Sequence, residues 1–282
     1  MVAGLGSACK DRADVRETPR KGKVSAAPVA SPPGYDLGAP VKYAFGEALR
    51  EISGICFLRG KADTLYAIED EDGKLFSFHL GGGIHVRKFG GHGDYEDVTV
   101  LEDKEFVVLR SDGSLFVFPV GFGGKKSVRA YVHILPAGEY EGLFGDEGGR
   151  LIALCKNCSV DDQSKEVTAY ALGYDAGHSL VVRDHFQIEV PADSLTSIHK
   201  HIKFHPSALA RHPITREWYV ISSVNKVLIV FDDKWKVRGM YALDPILFKQ
   251  PEGLAFDAQG DMYISNEGGE GRANVLLFRY KK

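Results

Sequence analysis

Five short phrases in this chain set a polar residue ahead of a small residue and an apolar pair: ALREISGICF, DYEDVTVL, EYEGLFGD, HPSALARH and QPEGLAFD. Aligned on one another, they place Glu51, Glu96, Glu141, Ser207 and Glu252 at one equivalent position, at intervals of 45, 45, 66 and 45 residues. If the repeats close on a common axis, four carboxylates converge there. Carboxylates held together raise one another's pKa or recruit a cation. Hard cations such as Ca²⁺ accept roughly six to eight oxygen ligands. The loop from Gly90 through His92 to Asp94 leads into Glu96 and Asp97, adding pliable backbone and further carboxylates. The candidate metal ligands are therefore Glu51, Glu96, Glu141, Glu252 and Asp97, with Ca²⁺ as the expected ion.

A second polar position follows each phrase, at the end of the next strand-like segment, where Asp70, Arg110, Lys156, Ser223 and Asn266 stand. With Ser207 and His92 they form the candidate ligand-binding set. Two readings of the double ring stay open. It holds a cation or a polar ligand, or Arg110 and Lys156 neutralise the glutamates in a closed salt-bridge network. With a cation bound, the same two bases would receive an anionic substrate group.

The elements that must position these residues are strands. Each phrase is followed by TLYAIED, EFVVLRS, RLIALCKN, EWYVISS or DMYISNE, and then by a turn into LFSF, LFVF, VLIVF or VLLFRY. Short apolar, β-branched and aromatic runs separated by Asp-Gly, Gly-Gly and Asn-Lys turns are hairpin signals. A repeat of ~40–45 residues with about four strands has the size of a propeller blade. The expectation is an all-β, single-domain β-propeller of five blades. The long 66-residue interval, with its surplus in QIEVPADSLTSIHKHIKFHP, reads as a loop, and six blades would follow only if it hides a degenerate one. The last unit has three strands and APVKYAF has no blade of its own, so the ring is expected to close by pairing the N- and C-terminal strands, which removes open edges.

The composition sets the limits. The 282 residues are 44% hydrophobic and 26% charged, enough for a full core. A net charge of −3 supplies no field for gripping phosphate backbones, so nucleic acid is not an expected partner. Residues 1–36, rich in Ala, Pro, Ser and charge, read as a residual signal and tether, and residues 37–282 as the propeller domain. Leu5, Gly6, Ser7, Ala8 and Cys9 resemble the end of a bacterial lipoprotein signal, with Cys9 as the lipidated residue and the apolar stretch of such a signal truncated. Membrane contact would then come through a lipid anchor alone. Cys155 and Cys158 have the spacing of half a zinc site with no second half, and would form a small disulfide or remain thiols. Cys56 reads as a buried small hydrophobe. His199, His201, His205 and His212 fit no metal motif and read as exposed loop residues. No nucleophile elbow, P-loop or HExxH motif is present.

The phrases LYAIEDEDGKLFSF, FGGHGDYEDVTVL, HPSALARHPITREWYVISSVNKVL and QPEGLAFDAQGDMYISNEGG resemble those of the SdiA-regulated, YjiK-like proteins, particularly the lipoprotein members of Bacteroidetes, over roughly Tyr43 to Tyr280. The resemblance implies a β-propeller of the bacterial envelope, remotely similar to calcium-dependent phytases, with no assigned activity. The expected function is an envelope propeller that binds a small polar ligand or an envelope protein at its channel mouth, with calcium. The alternative is a calcium-dependent phosphoester or carboxylic ester hydrolase.

Overall fold

The computed structural model describes residues 14–15, 29–121, 127–159, 161, 166–190 and 203–282. A two-residue strand β1 (Asp14–Val15) is followed by β2 (Val41–Ala44). Four antiparallel meanders of four strands come next. The first is β3 (Ile52–Phe57), β4 (Leu65–Glu69), β5 (Asp72–Phe78) and β6 (Ile84–His92). The second is β7 (Tyr95–Leu101), β8 (Glu105–Arg110), β9 (Leu115–Pro119) and β10 (Arg129–Tyr131). The third is β11 (Gly138–Gly145), β12 (Arg150–Cys158), β13 (Glu166–Tyr174) and β14 (Leu180–Glu189). The fourth is β15 (Ala208–Arg211), β16 (Trp218–Ser222), β17 (Val227–Phe231) and β18 (Val237–Ala242). The last sheet takes β19 (Pro251–Phe256), β20 (Met262–Asn266) and β21 (Asn274–Phe278) from the C-terminus and β2 from the N-terminus, with β1 outside β2. The inner strands β3, β7, β11, β15 and β19 touch in cyclic order, so the five sheets form a closed five-bladed β-propeller.

Each blade is buried on both faces because it packs against two neighbours, which is why the middle strands read as continuous apolar runs such as VLIVF. Strand alternation divides each run between two cores. In β16, Tyr219 and Ile221 join the cluster between the fourth and fifth blades, while Trp218 and Val220 join that between the third and fourth. Five such apolar clusters fill the five blade junctions. Toward the axis, β3 presses so closely on its neighbours that only glycine fits. A Cβ on Gly54 would lie 2.5 Å from Asp97 Cα, and one on Gly253 would lie 2.5 Å from the Ser53 carbonyl.

The expected terminal clasp is present. Lys42 faces Leu276 and Tyr43 faces Val275 in an antiparallel register. Ahead of the expected domain start at residue 37, Tyr35 is buried in the junction of the fourth and fifth blades and the Gly34 carbonyl accepts the Lys281 amide. Among the described residues the surplus of the long interval builds no further blade. Part of it extends β14 to ten residues, and residues 191–202 lie outside the described residues.

Candidate functional site

Inner strands begin, and second strands end, at the same rim of the channel, here the upper mouth. Their register there is marked by equivalent backbone bonds. Asp70 N donates to Glu51 O, Ser111 N to Asp94 O, and Glu267 N to Gln250 O. Two residues further on, a β-bulge isolates Glu96 between the pairs Tyr95–Arg110 and Asp97–Leu109, Glu141 between Tyr140–Cys155 and Gly142–Leu154, and Glu252 between Pro251–Asn266 and Gly253–Ser265. In the first blade the bulge falls between Ile52 and Ile55. Bulges re-aim side chains next to functional sites, and here they direct the repeated acid into the mouth.

Three rings follow from this register. The outermost is Glu51, Asp94, Glu139, His205 and Gln250. The next is Ser53, Glu96, Glu141, Ser207 and Glu252. The second-strand ring is Asp70, Ser111, Lys156, Ser223 and Glu267. Glu51 is thus not the partner of Glu96 in the expected ring; Ser53 is. Likewise Arg110 and Asn266 sit one residue short of the ring position, which belongs to Ser111 and Glu267. That single-residue offset turns Arg110 away. It grips Asp112 with two hydrogen bonds, of 3.0 and 2.6 Å, and its guanidinium lies 5.5 Å from the Phe116 ring centre. Asn266 is fully buried and donates to Asn274.

Other expected residues divide in the same way. Lys156 pairs with Glu141 and lies 3.7 Å from Glu139, so one of the two expected neutralising bases does neutralise the ring. Ser207 is buried, donating to the Pro251 carbonyl at 2.9 Å and accepting the Ser223 amide. Asp97 is buried between blades, where its two oxygens accept the Val98 and Leu143 amides, an arrangement that withholds it from a metal in the mouth. His92 is exposed at the end of β6. Cys155 and Cys158 form a disulfide, which takes both thiols out of metal ligation, and Cys56 is a buried free thiol. His212 is not an exposed loop residue but is fully buried, whereas His205 borders the mouth with Nδ1 3.2 Å from the Lys156 carbonyl. Cys9, His199 and His201 lie outside the described residues.

The three rings hold eight carboxylates against one lysine, and with Lys226 and Arg50 at their border the mouth is still electrostatically unbalanced. Burial, then Glu141 and Asp94, pushes Glu96 up to about 10. Burial, then Glu252, Asp70 and Glu51, pushes Glu267 up to about 8. Glu141 rises to about 7 through burial and Glu252, opposed by Lys156, and Asp70 to about 6 through burial, Glu51 and Glu69. Burial raises Glu252 as well.

Among the described residues, Glu51, Asp70 and Glu267 form a carboxylate group in which each offers one oxygen within 4.8 Å of the others. Asp70 Oδ1 is buried and makes no hydrogen bond. Arg50 Nε lies 3.5 Å from Glu51, and Gln250 donates to Glu267 at 2.6 Å, which orients those two carboxylates. An all-oxygen donor set of this kind suits a hard divalent cation. Beside it, a cavity of about 330 Å³ is lined by Glu141, Lys156, His205, Ser223, Lys226 and Glu252. Glu267 escaped the sequence reading, although the small-then-aliphatic pairs Gly54-Ile55, Gly142-Leu143, Ala208-Leu209 and Gly253-Leu254 would have set the register that reveals it.

No protein-family model matches the sequence, and no curated protein does. Solved structures share the architecture. The chain is similar to a luciferin-regenerating enzyme at 11% identity and a TM-score of 0.53, over 86% of this chain and 95% of that one. It is similar to a gluconolactonase from Xanthomonas campestris at 13% identity and a TM-score of 0.52, over 99% and 89% of the two chains. A chain of a nidogen/laminin complex matches at 10% identity and a TM-score of 0.51, over 79% and 75%. At such identities the likeness establishes the propeller and leaves the chemistry to the residues.

Proposed function

We propose that the upper mouth is a calcium-binding site that receives a polar ligand, and that this chain is a calcium-dependent binding propeller. The observation that carries the reading is the Glu51–Asp70–Glu267 oxygen set with its buried, unpartnered Asp70 Oδ1. A bound cation would relieve the repulsion that raises Glu267 and Asp70, and Glu252 and Glu141 would supply the surrounding negative field. Lys156, His205 and Lys226 then offer hydrogen-bond donors to the polar ligand in the adjoining cavity.

Calorimetric titration of the whole chain with CaCl₂ after chelation is the test. One saturable site is expected, and it should vanish in the Asp70→Asn, Glu267→Gln double variant. Unchanged affinity in that variant, or no binding to the parent protein, overturns the reading.

A second reading is a metal-dependent hydrolase of phosphate or carboxylic esters. It is favoured by one feature, that His205 and Lys156 border the same cavity as the acidic rings. Turnover of p-nitrophenyl phosphate or acetate that needs calcium and is lost in His205→Gln would establish it. We also propose that the protein is a lipid-anchored propeller of the bacterial envelope, of the SdiA-regulated, YjiK-like kind, with Cys9 lipidated. The Cys155–Cys158 disulfide supports that address, since such bonds persist in oxidising compartments. Among the described residues no helix is long and apolar enough to cross a membrane.

A further inference from the structure

The other end of the channel has a different chemistry. Where the inner strands finish, a cavity of about 480 Å³ opens among all five blades. Its deeper wall is a ring of aliphatic residues, Ile55, Val98, Leu143, Leu209 and Leu254, four of them following the small residue of their repeat and Val98 following Asp97. Two residues further along each strand the wall continues as Phe57, Val100, Gly145, Arg211 and Phe256. Arg211 is thus the single charge in two apolar rings.

Its surroundings compensate that charge only from a distance, through Asp146 and Asp233. Arg211 lies over the Trp218 ring at 5.0 Å, and its Nε donates to the Arg216 carbonyl at 3.0 Å. Arg216 stands exposed on the rim with φ +63°, a left-handed conformation uncommon outside glycine. Burial, then the Arg216 and Arg150 guanidiniums, lowers the Arg211 pKa, opposed by Asp146 and Asp233.

Nearby acids are engaged elsewhere. Asp103 accepts the Arg59 amide, Asp146 accepts the Gly148 and Arg150 amides, and Asp257 accepts the Gln259 and Asp261 amides and the Tyr263 hydroxyl. Glu147 is exposed on the rim. Among the described residues, no carboxylate reaches ion-pairing distance of Arg211 or Arg216.

The geometry points to the lower mouth as a binding site for an anionic amphiphile, a molecule with one carboxylate, sulfonate or phosphate head on an apolar body. The head meets Arg211 and Arg216, and the body fills the aliphatic rings. The volume lies in the range of small-molecule pockets, roughly 300–1,000 Å³, and a planar guanidinium fork matches the head groups named.

The test uses a matched pair of probes, anilinonaphthalene sulfonate and its neutral analogue N-phenylnaphthylamine, titrated into the whole chain by fluorescence and calorimetry. The sulfonate is expected to bind at a single saturable site. Arg211→Gln and Arg216→Gln should each weaken it about tenfold, while the neutral probe changes less than about twofold. Lys88→Gln, exposed on the outer strand β6, should leave both probes unchanged. Because Arg216 is exposed, its variant keeps the core intact and carries the test should Arg211→Gln fold poorly. Displacement by decanoate or by naphthoate supports the site and tells an aliphatic body from an aromatic one. Equal weakening of both probes, no weakening in either arginine variant, non-saturating uptake, or displacement by neither acid overturns the proposal.

Discussion

Asp97 in the second blade accepts the backbone amide of Leu143 in the third at 2.7 Å, from a carboxylate that is only 3% exposed. A second oxygen takes the Val98 amide at 2.8 Å. One acidic side chain therefore ties two inner strands together where β-ladder bonds do not run. Asp97→Ala strands two buried amides, and a loss of about 2–5 kcal/mol of stability is expected. Asp97→Asn keeps one acceptor and should lose about half as much. Urea unfolding midpoints of the two variants check the order, and Gly54→Ala, which pushes a methyl group onto Asp97 Cα, should resemble the alanine variant.

The upper mouth makes stability depend on pH in an unusual direction. Glu96, Glu267 and Glu141 have folded pKa values of about 10, 8 and 7, all above the unfolded carboxylate value. Between pH 5 and 9 the folded state then binds more protons than the unfolded chain, so stability falls as pH rises. The melting temperature of calcium-free protein should decline across that window. Calcium should reverse the decline, with an increment that grows with pH as the carboxylates become free to ionise. Glu267→Gln should melt higher than the parent at pH 8 in chelator and lose the calcium increment. Scanning calorimetry with and without CaCl₂ reads all three outcomes.

The blades were legible in the sequence because alternation and turn chemistry recur in every repeat. The rings were not, for a reason of strand geometry. A slip of two residues returns a side chain to the same face, so Glu51 satisfies the apolar pattern of the first blade as well as Ser53 does. A slip of one reverses the face, which is how Arg110, next to the ring residue Ser111, comes to lie against Asp112 and Phe116. The bulges at Glu96, Glu141 and Glu252 add one residue each, and nothing in an apolar pattern marks an inserted residue. Asp97 carried no local sign of its role, because its partner amide is 46 residues away.

His212 acts in the opposite sense on the acid side. It is fully buried, its Nδ1 accepts the Ile214 and Thr215 amides, and burial lowers its pKa to about 4. The unfolded chain binds a proton that the folded state refuses, so this residue's stabilisation is complete above about pH 6.5 and is lost as pH falls toward 4. His212→Asn keeps an acceptor for the amides and removes this residue's pH-dependent loss, so its stability relative to the parent should rise as pH falls from about 6.5 toward 4. His212→Leu strands both amides and should cost about 2–4 kcal/mol at pH 7. Urea midpoints at pH 7 and pH 5 distinguish the two variants.

Closure of the ring depends on residues far apart in sequence. β2 supplies the fourth strand of the last blade, and the segment ahead of it is packed as well, with Tyr35 against His212, Tyr219 and Tyr280 and its hydroxyl bonded to the Gly260 carbonyl. Removing residues 1–44 would expose the β21 edge along Asn274–Phe278, a buried strand whose last four residues are apolar. Such an edge invites pairing with other chains. Removal of residues 1–28 alone, by contrast, leaves Tyr35 and β2 in place. The longer truncation should melt lower and self-associate with rising concentration, and the shorter one should stay close to the parent in melting temperature. Light scattering and thermal melts of the two truncations decide it: a monomeric, equally stable protein lacking residues 1–44 would mean that the clasp does not hold the ring closed.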